Sequence, residues 1–123
     1  MRYRILVVDD SPRFRAAAAE LLAARGLELF GVAADGPQAL AAVAGTCPAG
    51  ILLDVNLPGS DGFTVAAALA AACPVARIVL TSTDADCAPP QVMATSPAVA
   101  FVPKQDLATA DLRALFGAKA RRR

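Results

Sequence analysis

The chain contains no histidine among its 123 residues. That absence removes Ser-His-Asp and Cys-His catalysis together with every histidine-ligated metal site. Its three cysteines, Cys47, Cys73 and Cys87, show no C-x-x-C spacing. Thiolate zinc sites are therefore also unsupported, and small buried thiols are expected. No apolar run approaches the ~20 residues of a membrane span, and the N-terminus carries no signal-peptide pattern. A soluble cytoplasmic protein without membrane contact is the expectation. Charge of one sign is equally scarce, because 12 basic and 11 acidic side chains leave a net charge of +1. The body of the chain thus offers no electrostatic footprint for direct nucleic-acid binding.

What is present is apolar. Hydrophobic residues make up 56% of the chain and charged residues 19%, which excludes disorder as the default state. Thirty alanines raise the helical tendency but leave the core to Val, Ile and Leu runs. Those runs alternate with helical segments. Ile5–Val8 reads as a buried strand, and Ser11-Pro12 as an N-cap and first helical residue of a helix to about Ala24, ended by Gly26. Leu27–Ala33 is a second strand, and Gly36-Pro37 opens a second helix that stops near Gly45. Ile51–Leu53 is a third strand, running into Asp54 and then a turn-rich loop, 56–62. A third helix over about Phe63–Ala72 closes at Pro74, and Ile78–Leu80 is a fourth strand ending at Thr81-Ser82. Prolines confine the fourth helix to about Pro90–Thr95. Val99–Val102 is a fifth strand, and Asp106 is expected to cap a last helix with Leu107, Leu112, Leu115 and Phe116 on one face. Five strand–helix alternations predict an α/β, doubly wound parallel sheet in a single domain. That domain is expected over residues 1–118, with 119–123 a basic tail or the start of a linker.

In such sheets ligands sit beyond the carboxyl ends of the strands. Those ends carry Asp9-Asp10, Asp54, Thr81-Ser82 and Pro103-Lys104. Three converging carboxylates repel one another, and a hard divalent cation would relieve that repulsion. An oxygen-only ligand set favours magnesium, with manganese possible. A metal, a lysine and a hydroxyl beside a carboxylate are the parts that phosphoryl transfer needs, since that reaction is mostly positioning and charge neutralisation.

The pattern Ile5-Leu6-Val7-Val8-Asp9-Asp10, Asp54-Val55-Asn56-Leu57-Pro58-Gly59-Ser60-Asp61-Gly62, Leu80-Thr81-Ser82 and Phe101-Val102-Pro103-Lys104 resembles the response-regulator receiver family. The resemblance covers essentially the whole chain. It implies a flavodoxin-like (βα)5 three-layer sandwich with strand order 2-1-3-4-5. It implies Asp54 as the phosphoacceptor, and Asp10 as a direct magnesium ligand with Asp9 acting nearby or through water. Asn56 would offer its backbone carbonyl to the metal, Lys104 would pair with phosphoryl oxygens, and Thr81 would hydrogen-bond one of them. Phe101 falls at the family's aromatic switch position. The implied partners are a sensor histidine kinase or histidine phosphotransfer protein upstream, and a downstream protein or missing effector domain. The family is a signalling one and not a turnover enzyme.

Two departures bear on output. Ser96-Pro97-Ala98 precedes the last strand where many relatives have Gly-Ala. Gln105 replaces a proline that is often cis in the family. A cis Lys104–Gln105 bond would cost about 3–4 kcal/mol, so a trans bond, or else a strained cis one, is expected. With the proline-rich 89–97 region, these departures support a competing reading: a receiver-like interaction module that no longer switches. A weaker third reading, a flavodoxin-like cofactor binder, is disfavoured by the acidity of the rim.

Overall fold

A computed structural model describes residues 3–118. Five parallel strands form the sheet: β1 (Arg4–Val8), β2 (Glu28–Ala33), β3 (Gly50–Asp54), β6 (Arg77–Ser82) and β7 (Ala100–Pro103), in the order β2-β1-β3-β6-β7. This is the flavodoxin-like order expected from the family resemblance. The remaining two strands, β4 (Asn56–Leu57) and β5 (Ser60–Asp61), form a minimal antiparallel hairpin inside the loop after β3.

Alternation along β1 shows why the strands are uninterrupted apolar runs. Leu6 and Val8 join a core cluster with residues of α2 (Gly36–Ala42) and α3 (Gly62–Ala72). Ile5 and Val7 join a second cluster with α1 (Pro12–Ala24), Leu107, Leu112 and Phe116. Both faces of the sheet are covered, so both sets of side chains leave water. Ser11 caps α1 by accepting the Phe14 N–H at 3.2 Å. Gly26, at φ 75°, ends it in the left-handed region that glycine adopts freely. The fourth helix, α4, is a single turn at Pro90–Met93, shorter even than expected.

Two expectations are corrected. Asp106 does not cap the last helix: it ends a 3-10 turn at Lys104–Asp106, and α5 spans only Leu112–Leu115, capped by Asp111. The reason is local competition for the backbone. The Thr109 hydroxyl donates to the Asp106 carbonyl at 3.2 Å, and the Asp111 carboxylate accepts the Ala114 N–H at 3.2 Å, so the helix restarts. The Arg25 guanidinium meanwhile donates to the Ala108 and Ala110 carbonyls, which a continuous helix would use itself. Leu107, Leu112 and Phe116 are buried all the same. The apolar face was right and the continuous helix wrong.

The second correction concerns the cysteines. Cys47, in the loop after α2, and Cys73, at the C-cap of α3, form a disulfide, and only Cys87 is a free thiol. Folding brings together two positions 26 residues apart that no spacing motif would pair. The Lys104–Gln105 bond is trans, since no cis peptide occurs among the described residues. The basic tail expected at 119–123 lies outside them. No described helix is long and apolar enough to cross a membrane.

Candidate functional site

The parallel register sets the site. Asp54 pairs with Thr81 across β3 and β6, while Ser82 pairs with Pro103 across β6 and β7. The ends of β1, β3, β6 and β7 therefore open on one rim, and Asp9, Asp10 and Asp54 each bring a carboxylate oxygen within 4.8 Å of the others.

Asp9 is wholly buried. Its Oδ1 accepts the Ser11 N–H at 2.8 Å, and its carbonyl accepts from Arg15 Nη1 at 2.7 Å. Its Oδ2 meets Lys104 Nζ at 2.6 Å. Asp54 is also buried; Oδ1 accepts the Asn56 N–H at 3.1 Å, and Oδ2 lies 3.5 Å from Lys104 Nζ. The lysine thus stands between two acids, and the Phe14 ring, 4.2 Å from its ammonium, backs it with a cation–π contact. Asp10 is exposed at the mouth of the cluster.

Burial pushes the Asp54 carboxyl above the ordinary carboxylate range, and the negative charge of Asp9 adds to the effect. The Asn56 N–H and the Lys104 ammonium act the other way and only partly offset it. A crowded, buried acid of this kind is short of positive charge. The donor set is all oxygen, with no described histidine or thiolate beside it, and this suits a hard divalent cation. Thr81 supplies a second unmet demand. Its side chain is fully buried, and Oγ1 has no hydrogen-bond partner. A buried hydroxyl without a partner costs free energy, and one at a strand's C-terminal end beside an acid cluster is positioned for a ligand atom.

Phe101 is not part of this cluster. It is half-buried on β7 and packs against the core cluster that holds Leu53 and Leu80. Asn56 is exposed at the start of the hairpin. Gly62, which begins α3, packs directly under the end of β3: a Cβ there would lie 2.4 Å from the Val55 Cα and 2.7 Å from the Asp54 carbonyl oxygen.

Two contributors went unread in the sequence, and a third, Ser82, was placed at the rim without its role. Phe14 and Arg15 lie in the first turn of α1, and the only available signal was that this helix starts beside the acid pair. Ser82, read above simply as the end of the fourth strand, has a fully buried hydroxyl that accepts from Asn56 Nδ2 at 3.1 Å and from the Asp84 N–H at 3.0 Å. It ties the loop after β3 to the loop after β6.

A parallel α/β sheet whose strand ends gather three acids, an ammonium and a partnerless hydroxyl is a doubly wound domain with an oxygen-rich, charged binding rim. A sequence model of the response regulator receiver domain matches residues 5–115, and the chain belongs to that family, the receiver domains of two-component signalling. Among curated proteins it is similar to protein-glutamate methylesterase/protein-glutamine glutaminase 5 of Myxococcus xanthus, 45% identical over 80 residues, which are 64% of this chain and 23% of that protein. It is similar also to the DNA-binding response regulator MtrA of Mycolicibacterium smegmatis, 42% identical over 82 residues, 67% of this chain and 36% of that one. The chain therefore spans only a minor part of these relatives' length. Among solved structures, the response regulator TrrA of Thermotoga maritima in complex with Mg(2+)-BeF matches with a TM-score of 0.78 and 28% identity, over 92% of this chain and 98% of that one.

Proposed function

We propose that this receiver domain accepts a phosphoryl group on Asp54 in a magnesium-dependent reaction, and that the charge gained there alters its contacts with a downstream partner. The observation that carries the reading is Lys104 Nζ held between Asp9 and Asp54, with the partnerless Thr81 hydroxyl one strand away. Magnesium, or manganese in its place, would be held by Asp10, Asp54 and the Asn56 backbone carbonyl, with Asp9 directly or through water. Bound there, it supplies positive charge to the crowded carboxylates and to the phosphoryl oxygens.

The chain's own groups do the rest. A carboxylate oxygen of Asp54 attacks the phosphorus of a phosphohistidine on a sensor kinase or phosphotransfer protein. The P–N bond breaks and its electron pair returns to the donor imidazole. The Asn56 N–H orients the Asp54 carboxylate, and Lys104 neutralises a phosphoryl oxygen as charge moves onto the acceptor. Thr81 donates its hydroxyl to another. The Thr81 and Phe101 region then repacks, which is how a local charge becomes a changed surface. An apolar cleft of about 300 Å³ beside Lys104 is lined by Phe14, Ala17, Leu21 and Leu107. The domain takes part in its own phosphorylation and dephosphorylation without turning over a separate substrate. It acts in the cytoplasm, over residues 1–118, and does not itself contact nucleic acid or membrane. Its effector is a separate protein or a domain beyond this chain.

Titration with magnesium and then beryllofluoride, followed by amide shifts at Asp54 and Thr81, tests the reading. Saturable shifts that vanish in Asp54→Asn are expected, and an absent or unchanged response would refute it. A second reading, an interaction module that does not switch, draws on the one-turn α4 and the four-residue α5. It predicts partner affinity indifferent to beryllofluoride. A bound flavin, which would colour the purified protein, belongs to neither reading.

A further inference from the structure

The Cys47–Cys73 bond lies outside the acid cluster and plays no part in the phosphoryl chemistry. Its two ends differ in access. Cys47 is exposed in the loop between α2 and β3, whereas Cys73 is wholly buried at the end of α3, in the core cluster with Leu69 and Ile78. The covalent loop between them encloses β3, Asp54, the β4–β5 hairpin and all of α3. Within that loop α3 is fastened at both ends. Its first residue donates its N–H to the Val55 carbonyl at 2.8 Å, and its C-cap is tied by the disulfide. A disulfide with one accessible sulfur is open to exchange at that sulfur, and disulfides in reducing compartments are as a rule transient.

We propose that Cys47–Cys73 is a thiol–disulfide exchange site, opened and closed by a dithiol/disulfide couple acting at Cys47, and that it governs the C-terminal end of α3 independently of the acid cluster. In the opening step one thiolate of the dithiol attacks Cys47 Sγ. The S–S bond breaks, and its electron pair leaves on Cys73 Sγ, which takes up a proton because apolar surroundings disfavour a thiolate. The second thiolate of the dithiol then attacks its partner sulfur in the mixed disulfide and releases Cys47. The protein gains two electrons and two protons, and the dithiol becomes a disulfide. Closing is the reverse reaction with an oxidised couple. The 11 residues of α3 separate this bond from the end of the helix beside Asp54, so the effect is a local loosening. The N-terminal turn of α3 stays held against Val55 when the bond opens.

The test uses the full chain with Cys87→Ser, so that the free thiol does not enter the exchange. Native protein is treated with graded dithiothreitol, alkylated and weighed, and hydrogen exchange is followed by peptide. The expected result is that both thiols appear together, at a rate proportional to dithiothreitol, while far-ultraviolet circular dichroism is unchanged. Exchange should rise most at the C-terminal turn of α3, beyond the common rise that the lower global stability gives peptides containing Asp9 and Asp54. With oxidised glutathione, Cys73→Ser should take one glutathione on Cys47, and Cys47→Ser none on Cys73. Reduction at a rate independent of dithiothreitol and equal to global unfolding would overturn the proposal, as would glutathione on Cys73. Two persistent free thiols after exposure to oxidised glutathione would overturn it as well.

Discussion

Lys104→Met removes the one ammonium among the described residues that faces both buried acids. At 2.6 Å from Asp9 and 3.5 Å from Asp54, the two attractions amount to about 6 and about 5 kcal/mol at an effective dielectric of about 20. Most of that gross attraction is offset by the desolvation of three charged groups and by the repulsion between the acids. What the substitution exposes is the cost of leaving buried charge uncompensated, about 3–5 kcal/mol when one partner of a buried pair is deleted. The lysine side chain retains 17% exposure, so the lower end, about 3 kcal/mol, is expected at pH 8 without divalent cation. The loss should shrink on acidification. Without the ammonium, which acts to lower it, the already raised native Asp54 carboxyl pKa rises further, the folded state then binds more protons than the unfolded one, and stability returns as the pH falls. Urea unfolding followed by far-ultraviolet circular dichroism is the assay, because the chain has no tryptophan. A loss below about 1 kcal/mol, the range of exposed ion pairs, would refute the reasoning, as would a loss independent of pH.

Asp54→Asn should raise the urea midpoint at pH 8 in the absence of divalent cation, because burial and Asp9 hold the native Asp54 carboxyl above its unfolded value. Wild-type stability falls as pH rises through that raised value, so the advantage of the variant should shrink on acidification, and a flat difference would contradict the assignment. Thr81→Val, which removes a partnerless buried hydroxyl, should stabilise the free protein by about 1 kcal/mol and weaken beryllofluoride binding about tenfold by calorimetry. Gly62→Ala drives a methyl group into the Val55 backbone and should cost about 1–3 kcal/mol in urea unfolding while shifting the Asp54 and Asn56 amide resonances. Cys47→Ser opens a covalent loop of 26-residue separation and should lower stability by about 3 kcal/mol under oxidising conditions and by almost nothing in reductant.

The parts of the fold legible in the sequence were those written in local chemistry. Buried strands such as Ile51–Leu53 are short β-branched or leucine runs, Ser11-Pro12 marks a helix start, and Gly26 marks its end. The strand ends then brought Asp9, Asp10, Asp54, Thr81 and Lys104 to one rim, because a parallel sheet leaves no other place for them. Illegible were the features decided by competition or by tertiary proximity. The 3-10 turn at Lys104–Asp106 and the restart at Asp111 depend on the Thr109, Asp111 and Arg25 hydrogen bonds, whereas apolar periodicity reports only that Leu107, Leu112 and Phe116 face inward. The disulfide depends on where the α2–β3 loop meets the end of α3. The β4–β5 hairpin is too short for any strand pattern. Ser82 was readable as small, but its link from Asn56 to Asp84 appears only once both loops are in place.

The most direct test of the central claim is the site of phosphorylation itself. The chain would be incubated with a small phosphoryl donor such as phosphoramidate and magnesium, trapped at low pH, and mapped by mass spectrometry. One phosphoryl group on the peptide containing Asp54, lost on chelation of magnesium before donor addition and absent in Asp54→Asn, is the predicted result. An unmodified chain, or a phosphoryl group that persists in Asp54→Asn at the same stoichiometry, would contradict it.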